Sequence, residues 1–177
     1  MRLAVDLSPN YSKVAKKKRQ ILFVIIHYTG MQSEIVSLKR LRNLKSKVSC
    51  HYLINRQGKI KQMVEEHNIA WHAGKSRWHN FKNLNRNSIG IELVNRGHDH
   101  GYQKYSGRQI KSLIYLCKKL KKKYRITQSN FLGHSDIAPL RKLDPGEKFP
   151  WKKLSNFGLG TWYKEKIENV KIQKGKR

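Results

Sequence analysis

The chain has 177 residues, of which 38% are hydrophobic, and this length suits a single domain with one core. Its 39 Lys and Arg residues far outnumber its 11 Asp and Glu residues and give a formal net charge of +28. No apolar run approaches the about 20 residues of a membrane span, and two cysteines, Cys50 and Cys117, are too few for a disulfide framework.

The start of the chain predicts an irregular segment, a buried strand and a short helix. Pro9 and Asn10 interrupt residues 1–20, which we expect to be irregular. Residues 21–26 form an uninterrupted β-branched and aromatic run, typical of a strand buried on both faces. Ser33 is a suitable N-cap for a helix. The apolar stripe predicted for this helix comprises Ile35, Val36, Leu38 and Leu41.

The middle of the chain predicts a hairpin, a long loop and another strand. Residues 52–55 and 60–64 have strand patterns and flank a turn that contains a glycine. Residues 66–87 are rich in His, Trp, Asn and Arg and predict a long loop, which in a compact domain is usually functional. Residues 88–94 predict a strand in which Glu92 has apolar neighbours.

The last third of the chain predicts a long helix, a short strand and a basic tail. Ser106 and Gln109 match a capping box and open the clearest helix of the sequence. The buried face predicted for this helix comprises Ile110, Leu113, Ile114, Cys117 and Leu120. Residues 131–132 predict a strand that leads into His134. These elements predict an α/β fold: a single domain with a mixed central β-sheet flanked by helices.

Three side chains near predicted strand ends have the chemistry of metal ligands. His27 and His134 each follow a strand, and Pro145 favours extended backbone at Asp144. Lys142 and Asp144 would then point to the same side. Two imidazoles and one carboxylate, with a fourth position open, make up a catalytic zinc site. Because the chain has eight histidines, these residues alone leave a purely structural role for each histidine open.

Seven short segments, spread over about residues 21–151, form one ordered pattern. They are 24–30 (VIIHYTG), 48–54 (VSCHYLI), 70–74 (AWHAG), 88–93 (SIGIEL), 133–139 (GHSDIAP), 141–142 (RK) and 144–146 (DPG). In this order they resemble the zinc-dependent N-acetylmuramoyl-L-alanine amidase family of the AmpD and AmiD type, which is related to the peptidoglycan recognition proteins. The resemblance implies a catalytic domain over residues 21–160, between an N-terminal segment (1–20) and a basic C-terminal tail (161–177).

The resemblance also implies an activity and a set of site residues. The expected reaction is hydrolysis of the amide between the lactyl group of N-acetylmuramic acid and L-alanine in peptidoglycan or anhydro-muropeptides. Zinc would be held by His27, His134 and Asp144. Glu92 would act as the general base and Lys142 would stabilise the oxyanion, roles that suit a carboxylate on a rigid strand and a fixed ammonium group.

Five further residues are candidates for contact with the substrate. Trp71 and His72 lie on the predicted long loop, and Asn85 and Arg86 lie just before the strand of Glu92. Arg141 precedes the candidate Lys142. A packing role is an equal alternative for Trp71.

Two other functions are alternatives to the amidase. A catalytically silent peptidoglycan-binding protein would use the same fold, although the metal ligands and Glu92 argue against it. A nucleic-acid-binding protein would use the +28 charge, but the basic runs lack interleaved aromatic residues, so we expect no specific nucleic-acid partner. The apolar run at 21–26 is shorter than the about seven residues of a signal peptide, which favours the cytoplasm, with the periplasm as the alternative.

Overall fold

The computed structural model describes residues 3–15 and 19–163, and these residues form ten strands and four α-helices. The strands are β1 (Leu3–Val5), β2 (Tyr11–Ser12), β3 (Phe23–Tyr28), β4 (Tyr52–Ile54), β5 (Ile60–Gln62), β6 (Ile69–Ala70), β7 (Arg77–Trp78), β8 (Phe81–Lys82), β9 (Ser88–Leu93) and β10 (Phe131–Gly133). The helices are α1 (Glu34–Arg42), α2 (Gly107–Tyr124), α3 (His134–Ile137) and α4 (Trp151–Ser155).

Six of the strands form one mixed sheet in the order β1-β5-β4-β9-β3-β10. The β4–β5 pair is antiparallel and is the predicted hairpin, whereas the other neighbouring pairs are parallel. β2 pairs with β6 and β7 with β8 in two small antiparallel ribbons. The predicted α/β domain with a mixed sheet and flanking helices is confirmed.

The alternation of side chains along β3 separates the two faces of the sheet. Val24 and Ile26 join the larger core, to which α2 contributes its predicted apolar face. Phe23 and Ile25 pack in a second cluster on the other face. His27 lies two residues after Ile25 on the same strand, so its side chain points to the same face of the sheet, opposite α2.

Two short parts of the N-terminal segment form strands that were not predicted. Leu3–Val5 pairs in parallel with β5, and Tyr11–Ser12 pairs with β6. The prediction of irregular structure over residues 1–20 was therefore wrong for these two strands. Residues 3–5 are exposed and are held by backbone hydrogen bonds at the sheet edge, so their side chains show no buried alternation that a sequence pattern could reveal.

The caps of both long helices are confirmed, but two details differ from the prediction. Ser33 accepts a hydrogen bond from the Val36 N–H at 3.2 Å, yet Ile35 and Val36 themselves are exposed, so only part of the predicted α1 stripe is buried. Ser106 likewise accepts from the Gln109 N–H at 3.1 Å. The Gln109 side chain does not complete a capping box, because its Nε2 donates to the carbonyls of Ile54 (3.0 Å) and Val94 (3.1 Å).

Two predicted segments need a further remark. The long loop predicted over residues 66–87 contains β6, β7, β8 and a 3-10 turn at Leu84–Asn87. Residues 164–177, most of the predicted basic tail, lie outside the described residues. Within the described ranges, no helix combines the length and the apolar character needed to cross a membrane.

Candidate metal centre and active site

The sheet order brings His27 and His134 together although they are far apart in sequence. His27 lies near the carboxyl end of β3, and His134 begins α3 directly after β10. β10 pairs in parallel with β3, with Gly133 opposite Ile26, so a histidine directly follows each of these two paired residues. The Ser135 N–H donates to the Asp144 carbonyl at 2.8 Å, which brings the third candidate ligand back beside α3.

The three predicted ligands form one buried cluster. His27 Nδ1 lies 3.0 Å from His134 Nδ1 and 2.9 Å from Asp144 Oδ2, and His134 Nδ1 lies 3.1 Å from the same oxygen. All three residues are buried. Because three donor atoms lie so close together, they suit a small cation at the about 2.0–2.2 Å distances that zinc takes from imidazole and carboxylate.

The protonation of the cluster also suits a cation. His134 Nε2 lies 3.1 Å from the Ala73 carbonyl oxygen, which only accepts, so Nε2 carries the proton and the Nδ1 lone pair faces the cluster. Burial lowers the pKa of His27 to about 4, with a further contribution from His134, and keeps this ring neutral. Burial alone would raise the pKa of Asp144, but its close contacts with His134 and His27 hold it well below its usual range, so this carboxylate is charged. Two neutral imidazoles and a carboxylate are the donor set of catalytic zinc.

Glu92 faces the same cavity as the three ligands. It is the register partner of His27 on β9, and both residues line a cavity of about 350 Å³. Its Oε2 is buried and has no hydrogen-bond partner among the described residues. Burial, and then the nearby charge of Asp144, raise the pKa of Glu92 well above its usual value. A buried carboxylate with a free oxygen can accept a proton from a water molecule or donate one to a leaving group.

The two basic candidates, Arg141 and Lys142, both line the cavity, but their surroundings differ. Arg141 Nη2 donates to the carbonyls of Ala73 (2.9 Å) and Lys75 (2.8 Å), so this end of the guanidinium group holds the neighbouring loop. Lys142 is half-buried, and its positive charge partly offsets the rise in the pKa of Glu92. Lys142 is thus a cation that can act on an anion within the cavity.

Trp71 and His72, two of the candidates for substrate contact, also line the cavity. The Trp71 Nε1–H donates to Ser12 Oγ at 3.0 Å, which fixes the indole through the unexpected strand β2. His72 Nδ1 lies 3.0 Å from His27 Nε2, so this ring contacts a predicted metal ligand directly.

The substrate-contact prediction for Asn85 and Arg86 does not fit the structure, since neither residue lines the cavity. Asn85 Oδ1 instead accepts from the backbone N–H groups of His72 (3.0 Å) and Ala73 (2.7 Å). Arg86 is exposed. A polar residue next to a functional strand looks like a ligand contact in sequence, and only the folded chain shows that Asn85 supports the loop.

One residue that supports the site was missed because it belongs to a run of basic residues. The Arg19 guanidinium group is partly buried and donates hydrogen bonds to five backbone carbonyls. These carbonyls belong to Glu66, Asn68, Asn85, Arg86 and Ser88. Arg19 therefore ties the loop at 66–68 to the start of β9, and nothing in the sequence distinguishes it from the lysines that precede it.

Comparison with known proteins finds amidases that are similar to this chain. AmiD of Escherichia coli is 41% identical over 159 residues, which cover 81% of this chain and 55% of that protein. AmpD of Haemophilus influenzae is 40% identical over 108 residues, which cover 60% of this chain and 56% of that protein. Both are described as amidases of N-acetylmuramyl-L-alanine compounds. The chain thus spans about half the length of these curated relatives.

Solved structures show the same fold. Escherichia coli AmiD, in complex with the substrate anhydro-N-acetylmuramic acid-L-Ala-D-gamma-Glu-L-Lys, aligns with a TM-score of 0.73 at 36% identity and covers 86% of this chain and 67% of that chain. AmpDH3 from Pseudomonas aeruginosa aligns with a TM-score of 0.76 at 36% identity and covers 89% and 68%. The family model described as N-acetylmuramoyl-L-alanine amidase matches residues 17–147. The chain therefore belongs to the N-acetylmuramoyl-L-alanine amidase family.

Proposed function

We propose that this chain is a zinc-dependent N-acetylmuramoyl-L-alanine amidase. It hydrolyses the amide between the lactyl carbonyl of N-acetylmuramic acid and the amine of L-alanine. The observation that carries the proposal is the buried cluster of His27, His134 and Asp144, beside a cavity that Glu92 and Lys142 also line. Membership of the amidase family supports the same reaction.

In the proposed mechanism His27, His134 and Asp144 hold Zn²⁺. When bound, zinc lowers the pKa of a water molecule toward about 7 and polarises a carbonyl group. Glu92 takes a proton from the attacking water as the water oxygen adds to the lactyl carbonyl carbon. The carbon–nitrogen bond then breaks, and Glu92 passes the proton to the departing amine of L-alanine. The products are the lactyl carboxylate and a free stem peptide.

Lys142 is the proposed stabiliser of the negative charge that develops on the carbonyl oxygen. Its ammonium group needs no proton transfer for this role, and a cation that is in place before the reaction costs no reorganisation. We propose Trp71, His72 and Arg141 as the walls of the substrate groove, because all three line the cavity.

We infer that the substrate is a peptidoglycan fragment with an N-acetylmuramic or anhydro-N-acetylmuramic acid end. This inference is supported by the anhydro-muropeptide bound in the related AmiD structure. The proposed catalytic unit covers residues 21–160, although the pairing of β1 with β5 indicates that the preceding residues stabilise the same sheet. We keep the cytoplasm as the proposed compartment, which fractionation of cells that produce the protein would test.

The proposal is tested by incubating the purified protein with a defined anhydro-muropeptide and, separately, with intact sacculi. Mass spectrometry should detect a free stem peptide that begins at L-alanine, lost with a chelator and restored by zinc. Cleavage of one substrate only would decide between fragments and intact wall. If neither substrate is cleaved by the zinc-loaded protein, the amidase proposal is wrong, and a silent binding protein becomes the better explanation.

A further inference from the structure

A chain of hydrogen bonds leads from His27 to a backbone carbonyl through His72 and Ser88. His27 Nε2 lies 3.0 Å from His72 Nδ1, and His72 Nε2 lies 3.2 Å from Ser88 Oγ. Ser88 Oγ lies 2.6 Å from the Leu84 carbonyl oxygen. This series of hydrogen bonds therefore begins at a proposed metal ligand and ends at a carbonyl oxygen, which can only accept.

The direction of every hydrogen bond in this series follows from the group at its end, the Leu84 carbonyl oxygen. Because the Leu84 carbonyl cannot donate, the Ser88 hydroxyl must donate to it, and a lone pair of Ser88 Oγ is left for His72. The Nε2–H of His72 then donates to Ser88, so Nδ1 of the neutral His72 ring carries a lone pair. That lone pair accepts the Nε2–H of His27. The remaining lone pair of His27, on Nδ1, faces His134 and Asp144.

The neutral state of His72 is supported by its surroundings. The ring lies between two other imidazoles, with centroids 5.1 Å from His27 and 5.7 Å from His51. A neutral ring has one donor and one acceptor nitrogen, as the hydrogen-bond chain requires.

The loop that carries His72 fixes both histidine ligands at once. His72 orients His27, and the carbonyl of the next residue, Ala73, accepts from His134 Nε2 at 3.1 Å. Asn85 Oδ1 accepts from the N–H groups of both loop residues, at 3.0 Å and 2.7 Å. The two rings are thereby held in matching tautomers by two consecutive residues.

Gly90 on β9 makes room for the His72 ring. A Cβ atom on Gly90 would lie 2.3, 2.5 and 2.6 Å from three atoms of this ring. The backbone of Gly90 is in an ordinary strand conformation opposite Ile25, so glycine is not needed for a special backbone angle. The absent side chain is instead needed for the close approach of His72.

We propose that His72 is a positioning residue of the metal centre, which, anchored by Ser88 and accommodated by Gly90, holds His27 in the tautomer whose Nδ1 binds the metal. This inference rests on the proposed zinc enzyme. It differs from the substrate-groove role of His72, because it requires an effect on zinc affinity in the absence of substrate.

Competition of the purified protein with a chromophoric chelator for zinc tests the proposal. His72→Ala and Gly90→Ala should each raise the zinc dissociation constant by about 10–100-fold, the usual effect of losing a partner that orients a ligand. Ser88→Ala should have a smaller effect, because the His72 ring stays in place and loses only its anchor. His67→Ala is the control, since this imidazole lies apart from the cluster, 3.4 Å from Glu65, and should leave zinc affinity unchanged.

A second readout follows the tautomer itself. Nitrogen-15 correlation spectra of the zinc-loaded protein should show His27 protonated at Nε2, and the spectrum of Gly90→Ala should show this proton exchanging faster with water.

Unchanged zinc affinity in both His72→Ala and Gly90→Ala, or a wild-type His27 protonated at Nδ1, would overturn the proposal. If the wild-type protein binds no zinc, the proposed function fails as well, whereas normal wild-type binding with unaffected variants rejects only the role of His72. Should His72→Ala not fold, Gly90→Ala and Ser88→Ala carry the test.

Discussion

Glu92 and His27 are register partners on the adjacent parallel strands β9 and β3, and their side chains line the same cavity. The proposed general base and a proposed metal ligand are therefore spaced by the backbone hydrogen bonds of the central sheet. A catalytic pair on two central strands is held more firmly than a pair on loops, because the sheet fixes the backbone that carries each side chain.

Replacing Glu92 tests the proposed general base. Glu92→Gln keeps the size of the side chain but cannot take up a proton from water, so we expect kcat to fall by about 10²–10⁴-fold. Zinc content, measured on the same sample, should not change, because Glu92 is not one of the clustered ligands. Glu65→Gln, an exposed acid outside the cavity, is the matched control. Unchanged turnover in Glu92→Gln would remove this residue from the mechanism.

Replacing Lys142 separates charge stabilisation from metal binding. Lys142→Ala should lower kcat by about 10²–10³-fold, since it removes a cation that acts on the developing oxyanion. The KM for a muropeptide and the zinc content should change little. Lys152→Ala removes an exposed lysine from α4, outside the cavity, and should behave like the wild type. A loss of zinc from Lys142→Ala would point instead to a structural role.

Removal of the metal should lower thermal stability as well as activity. A ligand that binds only the folded state stabilises it, by about 2.7 kcal/mol when its free concentration is 100 times Kd. We therefore expect the Tm measured with excess zinc to exceed the Tm measured with a chelator. His134→Ala loses one of the three clustered donors, and its Tm should respond far less to zinc. An equal response in this variant would argue that zinc binds elsewhere.

Arg19 should be important for stability although it is remote from the chemistry. Arg19→Met leaves five backbone carbonyls without their donor, and we expect the free energy of unfolding to fall by roughly 2–4 kcal/mol. Urea unfolding followed by circular dichroism measures this change. Arg86→Met, at an exposed arginine, should alter stability by less than about 0.5 kcal/mol. Equal effects of the two substitutions would contradict the proposed role of Arg19.

Glu66 should make stability depend on pH. Burial by itself would raise the pKa of Glu66, but hydrogen bonds from Lys123, Tyr124 and Tyr52 bring it below the usual value of 4.5. A folded pKa below the unfolded one gives stability that is fully present above about pH 4.5 and lost as the pH falls through the folded pKa. Glu66→Gln should be less stable than the wild type at pH 7, and this difference should shrink below pH 4.5.

The control for the pH effect is Glu65→Gln, which changes the neighbouring exposed carboxylate. Its urea midpoint should follow the wild-type midpoint at pH 7, 4.5 and 3. A difference between wild type and Glu66→Gln that stays constant over this range would show that Glu66 contributes through packing alone.

The residues of the candidate site were identified from sequence because each belongs to a short local pattern. His27 follows an unbroken apolar run, Glu92 lies within another, and Asp144 precedes a proline. Resemblance to the amidase family then joined patterns that spacing alone could not connect. The Ser106 cap and the apolar face of α2 were predictable for the same reason, since both depend on residues within a few turns of one helix.

Only the tertiary structure shows which residues hold the site in place. Asn85 was predicted to touch substrate and instead holds the His72 loop, and Arg19 was one cation in a basic run. The sequence by itself determined most strands of the central sheet, the two capped helices and the candidate side chains of the site, because neighbouring residues set local backbone preferences and burial patterns. Only the strand order β9-β3-β10 decided that His27 meets both Glu92 and His134, because pairing between distant strands depends on the packing of the whole chain.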